Sequence, residues 1–199
     1  MARRTAERPD GAGGHAPVIV VPGPACGRTG DPDPRARRDL GLRGGTPPDE
    51  VSEEVLLRLP FADLREYRRE CASPGPPVLV VPPMAGGFPV LLYDLVAGLL
   101  AARGRVAVAD WFDARFVPRS QGPFGLADNV ASVQAMLRTL GPEADVVAVC
   151  QGGVPALAAT ALLAGEGEGR APRSLALAGA PVDTLVNATR GGLFARSHS

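Results

Sequence analysis

Val146-Val147-Ala148-Val149-Cys150-Gln151-Gly152-Gly153 is the stretch whose reading decides the fold. Its first residues form an uninterrupted apolar run, as expected of a strand buried on both faces. The glycines then open Val154 to Ala164, an apolar segment of helical length with Pro155 in its first turn, where a missing N–H costs little. When a strand hands over to a helix this abruptly, the residue at the apex is held out above the sheet, and the turn requires small neighbours two positions before and after it. Ala148 and Gly152 are those neighbours, and Cys150 is the apex, giving A-x-C-x-G where G-x-S-x-G is the common form of this elbow. A thiol so placed lies at the N-terminus of the following helix, whose free N–H groups and dipole favour thiolate. An isolated cysteine is more often a small buried hydrophobe. Strand, small neighbours, helix and an upstream glycine loop together make Cys150 the candidate nucleophile.

Working outward, the pattern alternates. Val78 to Val81 is a β-branched run bounded by prolines, followed by the tight loop Pro82 to Gly87 (PPMAGG) and a helical spacing of Leu91, Leu95 and Leu99 within Val90 to Arg103. Arg105 to Asp110 predicts the next strand. Leu126 to Leu140 predicts a helix with Val130, Val133, Leu137 and Leu140 on one face, ended by Gly141-Pro142. Asp145 to Val149 leads into the elbow, and Ser174 to Ala178 predicts one more strand. Strands alternating with helices imply right-handed crossovers and a mostly parallel α/β sheet covered on both faces. Pro60 divides Val51 to Glu70 into two short strands. Met1 to Asp49 is rich in Gly, Pro and Arg and lacks apolar periodicity, so it reads as a disordered tail. Pro17 to Val21 (PVIVV) is an isolated strand-like run inside it, with no evident partner.

Composition narrows the function. All 21 basic residues are arginine, they balance 21 acidic residues, and no stretch carries a single sign. That distribution points to neither a nucleic-acid backbone nor an anionic membrane. Cys26, Cys71 and Cys150 are too scattered for a disulfide framework, and His15 and His198 stand at opposite ends, so no metal site and no cofactor is expected. Gly165 to Gly169 (GEGEG) follows a helix and lacks dinucleotide-loop spacing. A cytoplasmic protein without a signal peptide or membrane span fits this sequence.

Attack of Cys150 on an ester or thioester carbonyl would generate a tetrahedral oxyanion, which needs two backbone donors. One is the N–H of Gln151, directly after the nucleophile. The second comes from the loop after the earlier strand, at Ala85 or Met84. Asp110, Asp113 and Arg115 share the loop after Arg105 to Asp110 and are read as pairing to hold it. Trp111, Phe112 and Phe116 are read chiefly as core, although at the carboxyl ends of the strands this loop borders the site and offers an apolar wall.

These residues carry a resemblance. Met84-Ala85-Gly86-Gly87 after VLVVP, ADWFDARFVP at Ala109 to Pro118, AVCQ at Ala148 to Gln151 and GAPVDTLVN at Gly179 to Asn187 resemble, in order, the intracellular poly(3-hydroxybutyrate) depolymerases. Pro60 to Arg69 (PFADLREYRR) is similar to that family's segment before the sheet. The resemblance spans about Val51 to Asn187 and implies an α/β-hydrolase fold, a polyhydroxyalkanoate polymer or oligomer as substrate, association with storage granules, and Cys150 as nucleophile. It divides the chain into a tail (1–49), a partial α/β-hydrolase domain (50–189) and an irregular C-terminal tail (190–199).

The family's aspartate and histidine lie well downstream of its cysteine, so the chain is expected to be an N-terminal portion, weakly active or inactive alone. Asp183 and His198 follow Cys150 in nucleophile, acid, base order. Order alone does not make a triad, because the three groups must converge. With final strands absent, Ser174 to Ala178 is expected to be an exposed apolar edge, prone to oligomerise or to need a partner. Two other functions compete: a polyhydroxyalkanoate synthase-like acyltransferase, from which G-x-C-x-G is expected instead, and a non-catalytic remnant that binds granules or protein.

Overall fold

The central strands are apolar on both sides because helices cover both faces of the sheet they form. A computed structural model of the chain describes residues 18–21, 51–69, 75–84 and 92–183. Its strands are β1 (Val18–Val21), β2 (Val51–Arg58), β3 (Ala62–Arg69), β4 (Val78–Val81), β5 (Arg105–Trp111), β6 (Asp145–Val149) and β7 (Ser174–Ala178). They make one sheet in the order β1-β7-β6-β4-β5-β3-β2. β4, β5, β6, β7 and β1 run parallel, whereas β3 is antiparallel to β5 and forms a hairpin with β2.

Side chains along a strand alternate between faces, and the core divides accordingly. Leu79 and Val81 of β4, Ala107, Ala109 and Trp111 of β5, and Val146 and Ala148 of β6 point to one face. There they meet Val130, Val133, Met136 and Leu137 of α2 (Leu126–Leu140) and Ala156, Ala159 and Leu163 of α3 (Gly153–Gly165). Val80, Val106 and Val108 point to the other face, against Val96 and Leu100 of α1 (Tyr93–Arg103). Burying each of the valine, leucine and methionine side chains among these fully is worth roughly 1.5–3 kcal/mol. Gly104 ends α1 in the left-handed region (φ 71°) and donates its N–H to Leu100 O at 2.8 Å. Glycine enters that region without the Cβ penalty that any other residue meets.

The two-strand reading around Pro60 is what the structure shows: the hairpin closes with Leu59 N–H donating to Ala62 O at 2.8 Å. Two expectations are corrected. Val18–Val21 does not belong to an unstructured tail; it is a strand, paired in parallel with β7 from Val18 opposite Leu175 to Val21 opposite Ala178. β7 is therefore not an open edge. Composition alone hid both, because the partner lies at the far end of the chain. The rest of 1–49, and all of 190–199, lie outside the described residues.

Asp145 knots the amino ends of β6 and β7 together. Its carboxylate accepts from Arg103 Nη2 (2.6 Å), Arg173 Nε (3.0 Å), Arg173 Nη2 and Ser174 Oγ (2.6 Å), joining the end of α1 to both strands. Burial would raise its pKa, but the hydrogen bonds from Arg173, Ser174 and Arg103 outweigh that and hold it well below the usual carboxylate range. A carboxyl whose folded pKa is depressed stabilises the fold above its unfolded pKa of about 4 and loses that contribution as pH falls toward the folded value. Asp145→Ala should therefore cost about 1–3 kcal/mol at pH 7, as expected for lost charge-assisted hydrogen bonds. The difference from the parent should shrink below about pH 4. Denaturant melts at pH 7 and pH 3 measure it, and an equal difference at both would contradict the assignment.

Candidate active site

The strand-to-helix turn is built as its sequence requires. β6 ends at Val149, Cys150–Gly152 form a single 3-10 turn, and α3 starts at Gly153. Cys150 has φ 51°, and among the described residues it is the one non-glycine residue at positive φ. That conformation costs an L-residue roughly 1–2 kcal/mol, and the surrounding packing must impose it. Its side chain is exposed at the carboxyl edge of the sheet.

The glycines permit that packing through close approach. A Cβ on Gly152 would stand 2.4 Å from Val81 O and 2.7 Å from Pro82 O. A Cβ on Gly153 would stand 2.2 Å from that of Ala180, just beyond β7. The elbow is thus wedged between the strand ends on either side of it. Pro82 is the pivot: its carbonyl abuts Gly152 and accepts from Trp111 Nε1 at 3.2 Å. Two residues on, Met84 Sδ receives Asn129 Nδ2 at 3.1 Å. β4's exit, 82–84, is consequently held from the elbow, from β5 and from α2. Asn129 is 8% exposed, and its Oδ1 is buried with no hydrogen-bond partner.

The proposed site residues fall as follows. Cys150 and Gln151 are exposed at the turn. Met84 is 41% exposed beside it, on the segment that Gly152 touches. Ala85 lies outside the described residues, as do His198 and His15. Asp183 is exposed three residues past Ala180, at the end of the described chain. The structure brings Cys150, Gln151 and the segment leading to Met84 to one place.

The loop after β5 is ordered by its own ion pair. Asp113 accepts from Arg115 N (2.9 Å) and Arg115 Nη2 (2.6 Å), capping the 3-10 turn Ala114–Phe116. Asp110 accepts from Arg65 Nε of β3 at 2.8 Å. Trp111 is core, 7% exposed, whereas Phe116 is 79% exposed and so corrects the expectation that it is core. Reasoning from sequence passed over Trp111 and Asn129 as supports of the site. A buried indole N–H needs an acceptor, and Asn129 is a polar residue one turn before Val133 on the apolar face of α2, so both carried a readable signal.

Comparison with solved structures supplies the fold's relatives. The chain is similar to a double mutant of the esterase E40, at 20% identity and TM-score 0.50, covering 73% of this chain and 49% of that one. It is also similar to one of two fungal esterases from Rhizomucor miehei, at 15% identity and TM-score 0.51, covering 81% of this chain and 51% of that one. The fold is of the α/β-hydrolase type, and the chain spans about half the length of these esterases. No protein-family model and no curated protein sequence matches the chain. Among the described residues no helix is long and apolar enough to cross a membrane.

The elbow geometry sets opposite outcomes at neighbouring positions. Gly152→Ala forces a Cβ onto two backbone carbonyls and should abolish soluble folded protein. Cys150→Gly relieves the positive φ and, after its own entropic cost, should raise stability by about 0.5–1 kcal/mol. Urea melts of both variants check this, and a destabilised Cys150→Gly would contradict the strain.

Proposed function

We propose that the chain carries the nucleophilic part of an ester hydrolase acting on aliphatic polyesters of 3-hydroxyalkanoate type, with Cys150 as nucleophile. The observation that carries the proposal is the exposed thiol at φ 51° between β6 and α3. In this reading the Cys150 sulfur attacks the ester carbonyl carbon, the C–O bond breaks, the alcohol leaves with the thiol's proton, and a thioester remains. The N–H of Gln151 and one from Met84 or Ala85 receive the oxyanion. The esterase neighbours support ester chemistry through the fold alone. Polyester as substrate rests on the resemblance of the Met84, Ala109 to Pro118, Cys150 and Gly179 to Asn187 segments. Granule association in the cytoplasm rests on the same resemblance.

Asp183 and His198 are given no part in the mechanism. With no histidine assigned to activate water in this reading, deacylation is expected to limit the reaction. One acyl group should therefore accumulate per chain when it meets an activated 3-hydroxybutyrate ester, with little turnover. Intact mass before and after hydroxylamine reads the thioester, and Cys150→Ala should show none. No adduct on the parent chain, or an adduct that survives Cys150→Ala, overturns the reading. Free hydroxyacid released from polymer, rather than acyl groups passed from a hydroxyacyl-CoA, separates hydrolase from acyltransferase.

A further inference from the structure

A second feature shares the carboxyl edge of the sheet with Cys150. Pro60, Phe112, Asp113, Phe116, Val117 and Pro118 line an open cleft of about 300 Å³. Its two walls are brought together by pairing: Ala62, just after the hairpin turn, lies opposite Trp111 at the end of β5. Phe112 N–H donates to Phe61 O at 2.9 Å. Beneath, Phe61 stacks on Phe124 with centroids 4.6 Å apart, and Trp111 meets the same ring edge-on at 6.1 Å. The 3-10 turn capped by Asp113 fixes Phe116, and the Arg115 guanidinium sits 5.8 Å from the centre of its ring. A phenyl ring presented to solvent at 79% exposure by an ordered turn has no role in the core.

We infer that this cleft is the subsite for the neutral aliphatic ester chain that flanks the scissile bond at Cys150, with Phe116 as its principal contact. The inference rests on the hydrolase reading and names where the remainder of the substrate lies. β5 and β6 are separated only by β4, which puts the near wall of the cleft roughly 10 Å from the elbow along the sheet edge, with Pro60 at the β2–β3 turn on its far side. At the advance per bond of an extended polypeptide, that is about two ester repeats of four chain atoms. The lining selects an uncharged chain: five of its side chains are apolar, and the one charged group, Asp113, is anionic and already bonded by Arg115. A free carboxylate or a phosphorylated carrier would give up hydration there against apolar side chains and an ion pair already made.

The probe is a 3-hydroxybutyrate tetramer capped as acetate and methyl ester, titrated calorimetrically against the full chain carrying Cys150→Ala. Adding Phe116→Ala should weaken binding about tenfold, the loss expected when an aromatic ring ceases to cover roughly 55 Å² of apolar ligand surface. Leu162→Ala, a control at an exposed apolar residue on α3, should leave the affinity unchanged. The uncapped tetramer should bind several-fold more weakly than the capped one. Absence of tetramer binding, or equal affinity with and without Phe116, overturns the inference. Acylation of the parent chain by a short activated ester is measured in parallel. Acylation with Phe116-independent tetramer binding defeats the subsite alone, and Phe116-dependent binding without acylation defeats the hydrolase reading alone.

Discussion

The contact on which the rest of the site depends is between Gly152 and the carbonyls that end β4. There is no room for a Cβ at that point, so backbone meets backbone and the turn after β6 is pressed against its neighbour. The pressure fixes Cys150 at a φ that its own side chain disfavours. It also sets the exposed thiol beside the segment from which a second oxyanion donor would come. A larger residue at position 152 would force these parts from one another and the sheet with them.

The sheet distributes its polar chemistry between its two ends. At the amino ends of β6 and β7, Asp145 gathers two arginines and a serine hydroxyl, and the depressed pKa of its carboxyl registers how completely they satisfy it. That end holds the strands together. At the carboxyl ends lie a strained residue, a buried amide oxygen without a partner and an exposed phenyl ring. Backbone strain of this kind recurs at functional sites, which is consistent with the nucleophile proposed for Cys150.

Local pattern made much of this legible. Val78 to Val81 and Val146 to Val149 are apolar on both faces, and that alone announced a parallel interior. Cys150 was found from the size of Ala148 and Gly152, because close approach leaves its mark on composition. Glu66 is harder: it is 1% exposed within a polar-looking strand, and only its pairing with Arg68 and Arg105 makes its burial tolerable. Asp110 takes Arg65 from the adjacent strand, a pairing that register rather than proximity in sequence decides. Val18–Val21 looked like an orphan for the same reason. Pairing across nearly the whole described length leaves no local trace.

That pairing bears on how the chain comes to be folded. Among the described strands β1 comes first in the sequence and its partner β7 last, while β2 starts at the opposite edge of the sheet. Topology of this kind delays folding, because contacts distant in sequence reward the chain only after a large loop has closed. Closing the loop is less demanding than its length suggests, since each doubling costs only about 0.6 kcal/mol. The delay is one of order: during translation β1 must wait, without a partner, until β7 has left the ribosome. Of the described strands, the one at this edge of the sheet is thus translated earliest and is among the latest to be placed.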